Sequence, residues 1–291
     1  MPRLTSLQSK PVKLLFMANS GFGKTGALSA LANAGYKVVV FDFDNGARII
    51  QQYLKEEEAP IWVRTYTDKL ASDGLSIEPD GPPTAYSDFI TDLRGFDEED
   101  AQFKAIDTWD STHVAVIDSL TMLSQAAMRY RLMINIGASN NPERWMHPYP
   151  ADFGEAQKLV RRVIELFYSD NIKCNVIFNT HVRYVGGGGS QTIVDKKTGA
   201  ITQRETDSEV SGQAQPTSIG RALGSEICRY FNTVISGEVE GSGLSTERVI
   251  VTRDLPQFPL KSERPIDLNQ RLSIDTGLAE IFRVLRGTEP E

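Results

Sequence analysis

The stretch Ala-Asn-Ser-Gly-Phe-Gly-Lys-Thr at residues 18–25 decides how this chain folds. Residues 12–17 before it form a short, mostly apolar run that is typical of a buried strand. Residues 26–34 after it are rich in the helix formers alanine and leucine. A strand, a glycine-containing loop and a helix in this order indicate a phosphate-binding loop, although Ala18 replaces the usual first glycine.

Each part of this loop has a chemical task in binding a nucleoside triphosphate. Its backbone N–H groups surround phosphate oxygens, and Gly21 and Gly23 permit the backbone angles that this requires. Lys24 places positive charge beside the β- and γ-phosphates, and the Thr25 hydroxyl is a ligand for Mg²⁺. We therefore expect the loop to bind ATP with Mg²⁺. The expected nucleotide-binding residues are Asn19, Ser20, Gly21, Phe22, Gly23, Lys24, Thr25 and Gly26.

Length and composition favour a single domain over residues 1–291, with 40% hydrophobic residues and a net charge of −7. No apolar run approaches the roughly 18 residues of a membrane span, so we expect a cytoplasmic protein without membrane contact. Cys174 and Cys228 lie in apolar segments and are expected to be buried thiols. The acidic balance argues against constitutive nucleic-acid binding but leaves local or nucleotide-dependent binding open.

Alternating patterns along the chain predict a mostly parallel sheet flanked by helices, with an antiparallel hairpin near the C-terminus. The predicted strands are residues 37–43, 61–66, 113–118, 174–179, 233–236 and 248–252. The predicted helices are residues 86–93, 121–136, 151–168, 218–231 and 277–285. Three further segments are an acidic insertion at 67–110, a long mobile loop at 184–217 and a C-terminal tail at 265–291.

Two acids at strand ends are candidates for catalysis. Asp118 ends an apolar strand and is expected to organise Mg²⁺. Asp44, and with less support Asp42, ends the strand after the phosphate-loop helix and can orient the attacking water; strand-end capping is the alternative for both. Asn179, Thr180 and His181 end a further strand, where His181 is either a sensor of the γ-phosphate or a structural residue.

The order of three motifs resembles the core of RecA-type recombinases: Lys-Val-Val-Val-Phe-Asp-Phe-Asp at 37–44, Val-Ile-Asp-Ser at 116–119 and Asn-Thr-His-Val-Arg at 179–183. The chain is most similar to the phage Sak-type single-strand annealing ATPases, over residues 10–285. This resemblance implies a RecA-like α/β fold and ATP hydrolysis that depends on single-stranded DNA. It also implies annealing or strand exchange in phage recombination, assembly into a ring or filament, a phage single-strand-binding protein as partner, and the host cytoplasm as compartment.

The resemblance also assigns roles to individual residues. Asp44 takes the position of the family's catalytic glutamate, Asp118 that of the Mg²⁺-linked acid, and His181 that of the glutamine that senses γ-phosphate. Segments 137–150 and 184–217 take the places of the two DNA-binding loops. Arg253 is near the family's lysine that reaches a neighbour's nucleotide, with Lys261 and Arg264 as alternates and a surface pairing with Asp254 or Glu247 as the other interpretation.

Departures from the family pattern have consequences. Aspartate at 44 is one methylene shorter than glutamate, which favours slower hydrolysis, and histidine at 181 makes coupling sensitive to pH. Trp145 and Tyr149 either stack on bases or pack beneath their loop. A small-molecule kinase and a nucleotide-dependent switch without DNA activity remain alternatives. The glycine-rich, nearly charge-balanced loop favours a polymer ligand over a kinase substrate, and the presence of Asp44 with Asp118 argues against an inactive site.

Overall fold

The computed structural model describes residues 10–68, 81–95, 104–135, 148–185, 191–194, 201–204, 212–241 and 246–287. Its strands alternate with helices along the first two thirds of the chain. In chain order the strands are β1 (Lys13–Met17), β2 (Lys37–Asp42), β3 (Ile61–Thr65), β4 (His113–Asp118), β5 (Asn175–Thr180), β6 (Val182–Val185), β7 (Gln191–Val194), β8 (Ile201–Arg204), β9 (Gln213–Pro216), β10 (Thr233–Glu240), β11 (Glu247–Val251) and β12 (Arg271–Ser273).

The helices agree with the apolar periodicity to within a few residues. They are α1 (Lys24–Ala27), α2 (Ser29–Asn33), α3 (Ala85–Asp92), α4 (Leu120–Ile134), α5 (Pro150–Tyr168), α6 (Arg221–Ile227) and α7 (Gly277–Arg286). Short 3₁₀ helices cover Ala47–Tyr53, Ile106–Thr108 and Cys228–Tyr230. Among the described residues, no helix combines the length and the apolar character needed to cross a membrane.

An eight-stranded sheet in the order β12-β11-β10-β1-β5-β4-β2-β3 forms the centre of the fold. The strands from β10 to β3 run parallel, β11 is antiparallel to β10, and β12 is antiparallel to β11. This confirms the predicted RecA-like α/β core with a C-terminal antiparallel hairpin.

The register of this sheet places the predicted site residues at one edge. Met17 of β1 pairs with Thr180 of β5, while Asp118 of β4 pairs with both Asn179 and Asp42. Parallel strands all point the same way, so the phosphate loop and the strand-end polar residues meet at the carboxyl edge, where ligands bind in open α/β sheets.

The central strands read as continuous apolar runs because both faces of the sheet are covered. Along β1, Leu15 and Met17 belong to one hydrophobic cluster, and Leu14 and Phe16 belong to the other. Helices α3, α4, α5 and α6 pack on the first face, and α1, α2 and α7 pack on the second. The two-residue alternation of a strand therefore divides the core between two layers of helices.

The acidic insertion and the C-terminal tail both contribute to the core. Phe89 of α3 is buried and meets Phe41 and Phe43 edge to face. Phe282 of α7 is buried edge to face against Tyr36. Both segments therefore supply buried aromatic side chains that stabilise the domain.

The segment predicted as one long mobile loop contains short strands. β6 pairs antiparallel with β9, and β7 pairs antiparallel with β8. The prediction of an irregular segment at 184–217 is therefore corrected for these four strands, since their short polar sequences carry little apolar period. The rest of the segment lies outside the described residues, and its mobility stays a prediction.

The two cysteines are free thiols. Cys174 is buried and Cys228 is half-buried. Burial raises the pKa of Cys174 to about 12 and that of Cys228 to about 11. Both thiols are therefore held in the protonated form at neutral pH, as expected for packing residues.

Candidate functional site

The phosphate loop leaves the end of β1 and turns directly into α1. Gly21 and Gly23 have φ angles of 75° and 105°, which glycine adopts without strain. The Phe22 side chain points away from the loop and packs edge to face on Phe16 with 5.9 Å between ring centroids. Phe22 therefore anchors the loop to the core through its ring and offers only its backbone to a phosphate.

The Lys24 side chain folds back over the phosphate loop and contacts its backbone. Its Nζ donates hydrogen bonds to the carbonyl oxygens of Ala18 at 2.9 Å and Asn19 at 3.0 Å. Burial lowers the pKa of Lys24 to about 8, although the charges of Asp118 and Asp44 act in the opposite direction. A phosphate group in the loop favours the charged ammonium form, because it places opposite charge beside a desolvated cation.

Asp118 and Thr25 form the candidate Mg²⁺ site. The Thr25 hydroxyl donates to Asp118 Oδ2 at 2.6 Å, and Asn179 Nδ2 donates to Asp118 Oδ1 at 3.1 Å. Burial raises the pKa of Asp118 to about 6, an effect that these two hydrogen bonds oppose. A carboxylate and a hydroxyl are the oxygen ligands that Mg²⁺ takes beside substrate phosphates, so these residues fit the ion.

The two acids at the end of β2 have different surroundings: Asp42 is the last residue of the strand, and Asp44 follows it by two residues. Asp42 is buried and accepts hydrogen bonds from the backbone N–H groups of Asp44, Gly46 and Ala47 at 3.1 to 3.3 Å. This geometry is the strand-end capping that the sequence left open as an alternative. Because its carboxylate is engaged by backbone groups of its own turn, Asp42 is a structural residue.

Asp44 instead faces the site. Its Oδ1 accepts a hydrogen bond from Ser119 Oγ at 2.8 Å, and its Oδ2 lies 3.5 Å from His181 Nε2. Burial raises the pKa of Asp44, but the contacts with His181 and Ser119 outweigh it and hold the pKa below its usual value. Ser119 also caps α4, because its Oγ accepts from the Met122 N–H. Asp44 is thereby a charged acid held next to the end of β4.

His181 connects the acid with the segment that the resemblance assigns to DNA. Its backbone N–H donates to Thr121 Oγ1 at 3.2 Å, and its carbonyl oxygen accepts from the Thr217 N–H at 2.8 Å. β6 begins at the next residue, and Thr217 directly follows β9. Within the described part of the chain, the buried His181 Nδ1 has no hydrogen-bond partner.

Arg253 is not near the phosphate loop of its own chain. β11 is antiparallel to β10 and its Val251 pairs with Ser236, so the chain continues toward the amino ends of the parallel strands. Arg253 Nη1 donates to the Pro265 carbonyl oxygen, and its Nε lies 3.7 Å from Asp254. The surface pairing with Asp254 is therefore present, and a role for Arg253 in a neighbour's site stays a prediction.

A pocket of about 360 Å³ adjoins the phosphate loop and contains residues that the sequence did not single out. It is lined by Gly23, Gly26, Ala27, Ser29, Asn33, Tyr53, Lys55, Arg248, Ile274, Asp275 and Thr276. These residues come from four separate segments of the chain. Only folding brings them together, so no local sequence pattern indicated this pocket.

A larger pocket of about 630 Å³ lies between α3, α4 and α5. Its wall is mainly apolar, with Ile90, Leu93 and Leu159 among its residues, and none of the phosphate-loop residues borders it. It is therefore separate from the candidate site.

Most residues of the two predicted DNA loops, including Trp145, Lys196 and Lys197, lie outside the described residues. Tyr149 is described and is 56% exposed just before α5. The loop beneath which Tyr149 would pack lies mostly outside the described residues, so stacking on bases and packing beneath the loop both stay predictions.

Comparison with known proteins adds a likeness in fold. No protein-family model and no curated protein matches the chain. Among solved structures, the flagellar accessory protein FlaH from Methanocaldococcus jannaschii is similar with a TM-score of 0.41 and 10% identity, over 90% of this chain and 84% of that one. A KaiC-like protein from Pyrococcus horikoshii is similar with a TM-score of 0.34 and 11% identity, over 87% and 82%. The roles of residues rest on the geometry above.

Proposed function

We propose that this protein is a Mg²⁺-dependent ATPase whose hydrolysis is stimulated by single-stranded DNA and promotes annealing or strand exchange. The observation that carries the proposal is the meeting of Lys24, Thr25, Asp118 and Asp44 at one sheet edge. A phosphate cradle, a metal ligand pair and a separate charged acid are the parts that phosphoryl transfer to water requires.

The residues divide the chemistry between binding and turnover. Lys24 and the loop backbone hold the β- and γ-phosphates, and Thr25 with Asp118 holds Mg²⁺. When bound, Mg²⁺ neutralises charge on the phosphate oxygens. Asp44 accepts a hydrogen bond from the attacking water and keeps it in line with the γ-phosphorus. Its carboxylate is suited to this task because its low pKa keeps it charged.

Coupling to DNA is proposed to pass through His181. The contact of His181 with Asp44 and its backbone bond to Thr217 tie the acid to both ends of the 184–217 segment. A polymer that orders this segment therefore shifts the group beside the catalytic acid. The near balance of acidic and basic residues in the 184–217 segment implies few phosphate contacts and a shallow dependence of DNA affinity on salt.

The remaining parts of the proposal follow from the resemblance to phage annealing ATPases. We propose that the protein assembles with itself into a ring or filament and works with a phage single-strand-binding protein in the host cytoplasm. A small-molecule kinase would need an acceptor pocket beside the γ-phosphate. No observation among the described residues favours that alternative.

Phosphate release from ATP tests the enzymatic part of this proposal. Purified protein should release phosphate in the presence of Mg²⁺ and lose the activity when EDTA removes the ion. Lys24→Ala should abolish nucleotide binding while its thermal unfolding stays cooperative, since Lys24 faces the loop and not the core. Unchanged ATP affinity in Lys24→Ala, or release that is indifferent to Mg²⁺, would contradict the proposal.

A further inference from the structure

A second cation lies beside the phosphate loop. Arg248 belongs to β11 and pairs with Val239, near the end of β10 that projects beyond the carboxyl edge of the sheet. Its Nη1 lies 3.9 Å from the position that a Cβ atom on Gly23 would occupy. The backbone N–H of Ile274 donates to the Arg248 carbonyl oxygen at 3.3 Å, which fixes the strand at this point.

The charge of Arg248 is available to a ligand. Its side chain is exposed, and within the described part of the chain its guanidinium forms no hydrogen bond or ion pair. The acidic residues of the neighbouring strand β10, Glu238 and Glu240, form ion pairs with Arg271 instead. Arg248 therefore has no described carboxylate partner that would hold it away from the loop.

The guanidinium borders the pocket of about 360 Å³ described above. The volume is within the range of pockets that hold small ligands and cofactors. Tyr53 supplies an aromatic ring to the same pocket, and Gly26 of the phosphate-loop helix lies against that ring. A nucleotide whose phosphates occupy the loop can therefore extend its nucleoside into this pocket, past Arg248.

The position of β11 in the sheet determines which phosphate groups of the nucleotide are within reach of Arg248. β11 and β10 lie on one side of β1, while the strands that end near Asp44, Asp118 and His181 lie on the other side. Hydrolysis places the γ-phosphate beside those three residues. Arg248 is then on the side of the α- and β-phosphates and of the nucleoside.

We propose that Arg248 binds the α- and β-phosphates of the nucleotide held by its own chain, an inference that rests on the proposed ATP-binding function. A guanidinium donates two parallel, charge-assisted hydrogen bonds to phosphate oxygens, which an ammonium group does not reproduce. ATP and ADP both carry these phosphates. Arg248 is therefore a nucleotide-affinity residue that acts on substrate and product alike.

Equilibrium binding of Mg·ATP and Mg·ADP tests this inference in the full-length protein. Arg248→Ala should weaken both nucleotides by a similar factor of about 10 to 100, the range for a lost hydrogen bond to a charged group. Arg248→Lys should recover part of the loss for both nucleotides, since it restores the charge but not the paired hydrogen bonds. The matched control is Arg229→Ala, an exposed arginine at the opposite edge of the sheet, which should bind as the wild type does.

The possible results separate this inference from the function on which it rests. If the wild-type protein and Arg248→Ala bind both nucleotides with equal affinity, the inference is overturned and the proposed function is not. A loss for ATP without a loss for ADP also overturns it, because the contact would then be to the γ-phosphate. Wild-type protein that binds neither nucleotide overturns the proposed function and the inference together. Arg248→Gln removes the charge at similar length and takes the place of the alanine variant if that one fails to fold.

Discussion

At the scale of single residues, Asp118 and Asp44 have different surroundings that suit them to different roles in the site. Asp118 is buried between Thr25 and Asn179, whereas Asp44 contacts Ser119 and His181 on the open side. The first arrangement suits a metal-linked acid, and the second suits a group that touches the attacking water.

Substitution of these acids should therefore separate metal binding from turnover. Asp44→Asn should bind Mg·ATP normally and lose about 100-fold or more in turnover, because an amide is a poor acceptor for the water proton. Asp118→Asn should raise the Mg²⁺ concentration needed for half-maximal activity. Titrations of ATP and Mg²⁺ against steady-state rates measure both effects.

Asp44→Glu is the matched control for the charge at this position. It keeps the carboxylate on a side chain that is one methylene longer, so turnover should persist. Wild-type turnover in Asp44→Asn would remove Asp44 from the catalytic role.

At the scale of elements, β10 supports the phosphate loop by leaving room for an aromatic ring. A Cβ atom on Gly237 would lie 2.4 Å from the Phe22 ring, which is buried between the loop and the core. Gly237→Ala should therefore displace Phe22, lower the free energy of unfolding by about 1–3 kcal/mol and weaken ATP binding. Chemical denaturation and nucleotide titration measure the two effects.

The control for Gly237→Ala is Gly154→Ala on α5, where the added methyl has no atom within 4 Å. An alanine in this exposed helix should stabilise the protein by about 0.5–1 kcal/mol and leave ATP binding unchanged. Equal stability of Gly237→Ala and wild type would mean that Phe22 does not depend on this glycine.

The strands β6 and β9 define where the predicted DNA segment can be cut. Ala214 of β9 is buried and its N–H donates to the Gln257 carbonyl oxygen at 2.7 Å, so β9 belongs to the folded core. Replacing residues 187–211 by a short glycine-serine linker should keep ATP binding and remove stimulation by single-stranded DNA. Stimulation that survives this deletion would assign DNA binding to another surface.

The sequence predicted the core elements because their signals are local. The apolar runs of β2, β4 and β5 and the helical period of α5 each lie within one short window. The pocket beside Gly23 was missed because Tyr53, Arg248 and Asp275 meet only through tertiary packing. The distinction between Asp42 and Asp44 also needed the structure, because two acids so close together at a strand end look alike in sequence but have different hydrogen-bond partners.

At the scale of the whole molecule, assembly decides whether Arg253 takes part in hydrolysis. The chain at Arg253 continues toward the amino ends of the parallel strands, so we expect any contact of Arg253 with nucleotide to be made to a neighbouring chain. Specific ATPase activity should then rise with protein concentration. Mixing Arg253→Ala with Lys24→Ala should restore activity, because the two variants damage different halves of a shared site; a cation supplied in this way contributes about 10³–10⁵ in rate in related enzymes.

A rate independent of concentration, with no recovery on mixing, would show that each chain works alone. Arg229→Ala mixed with Lys24→Ala is the control, because it should give only the activity of its own intact chains. If each chain works alone, the described role of Arg253 is limited to its contacts with Pro265 and Asp254.

The rate of ATP hydrolysis with and without single-stranded DNA tests the central claim most directly. Wild-type protein at saturating Mg·ATP should hydrolyse slowly alone and several times faster with single-stranded DNA, while Lys24→Ala and Asp44→Asn should stay inactive in both conditions. Duplex DNA of the same length is the control ligand and should stimulate less. A measurable ATPase rate that single-stranded DNA leaves unchanged, or the absence of hydrolysis under both conditions, would contradict the account.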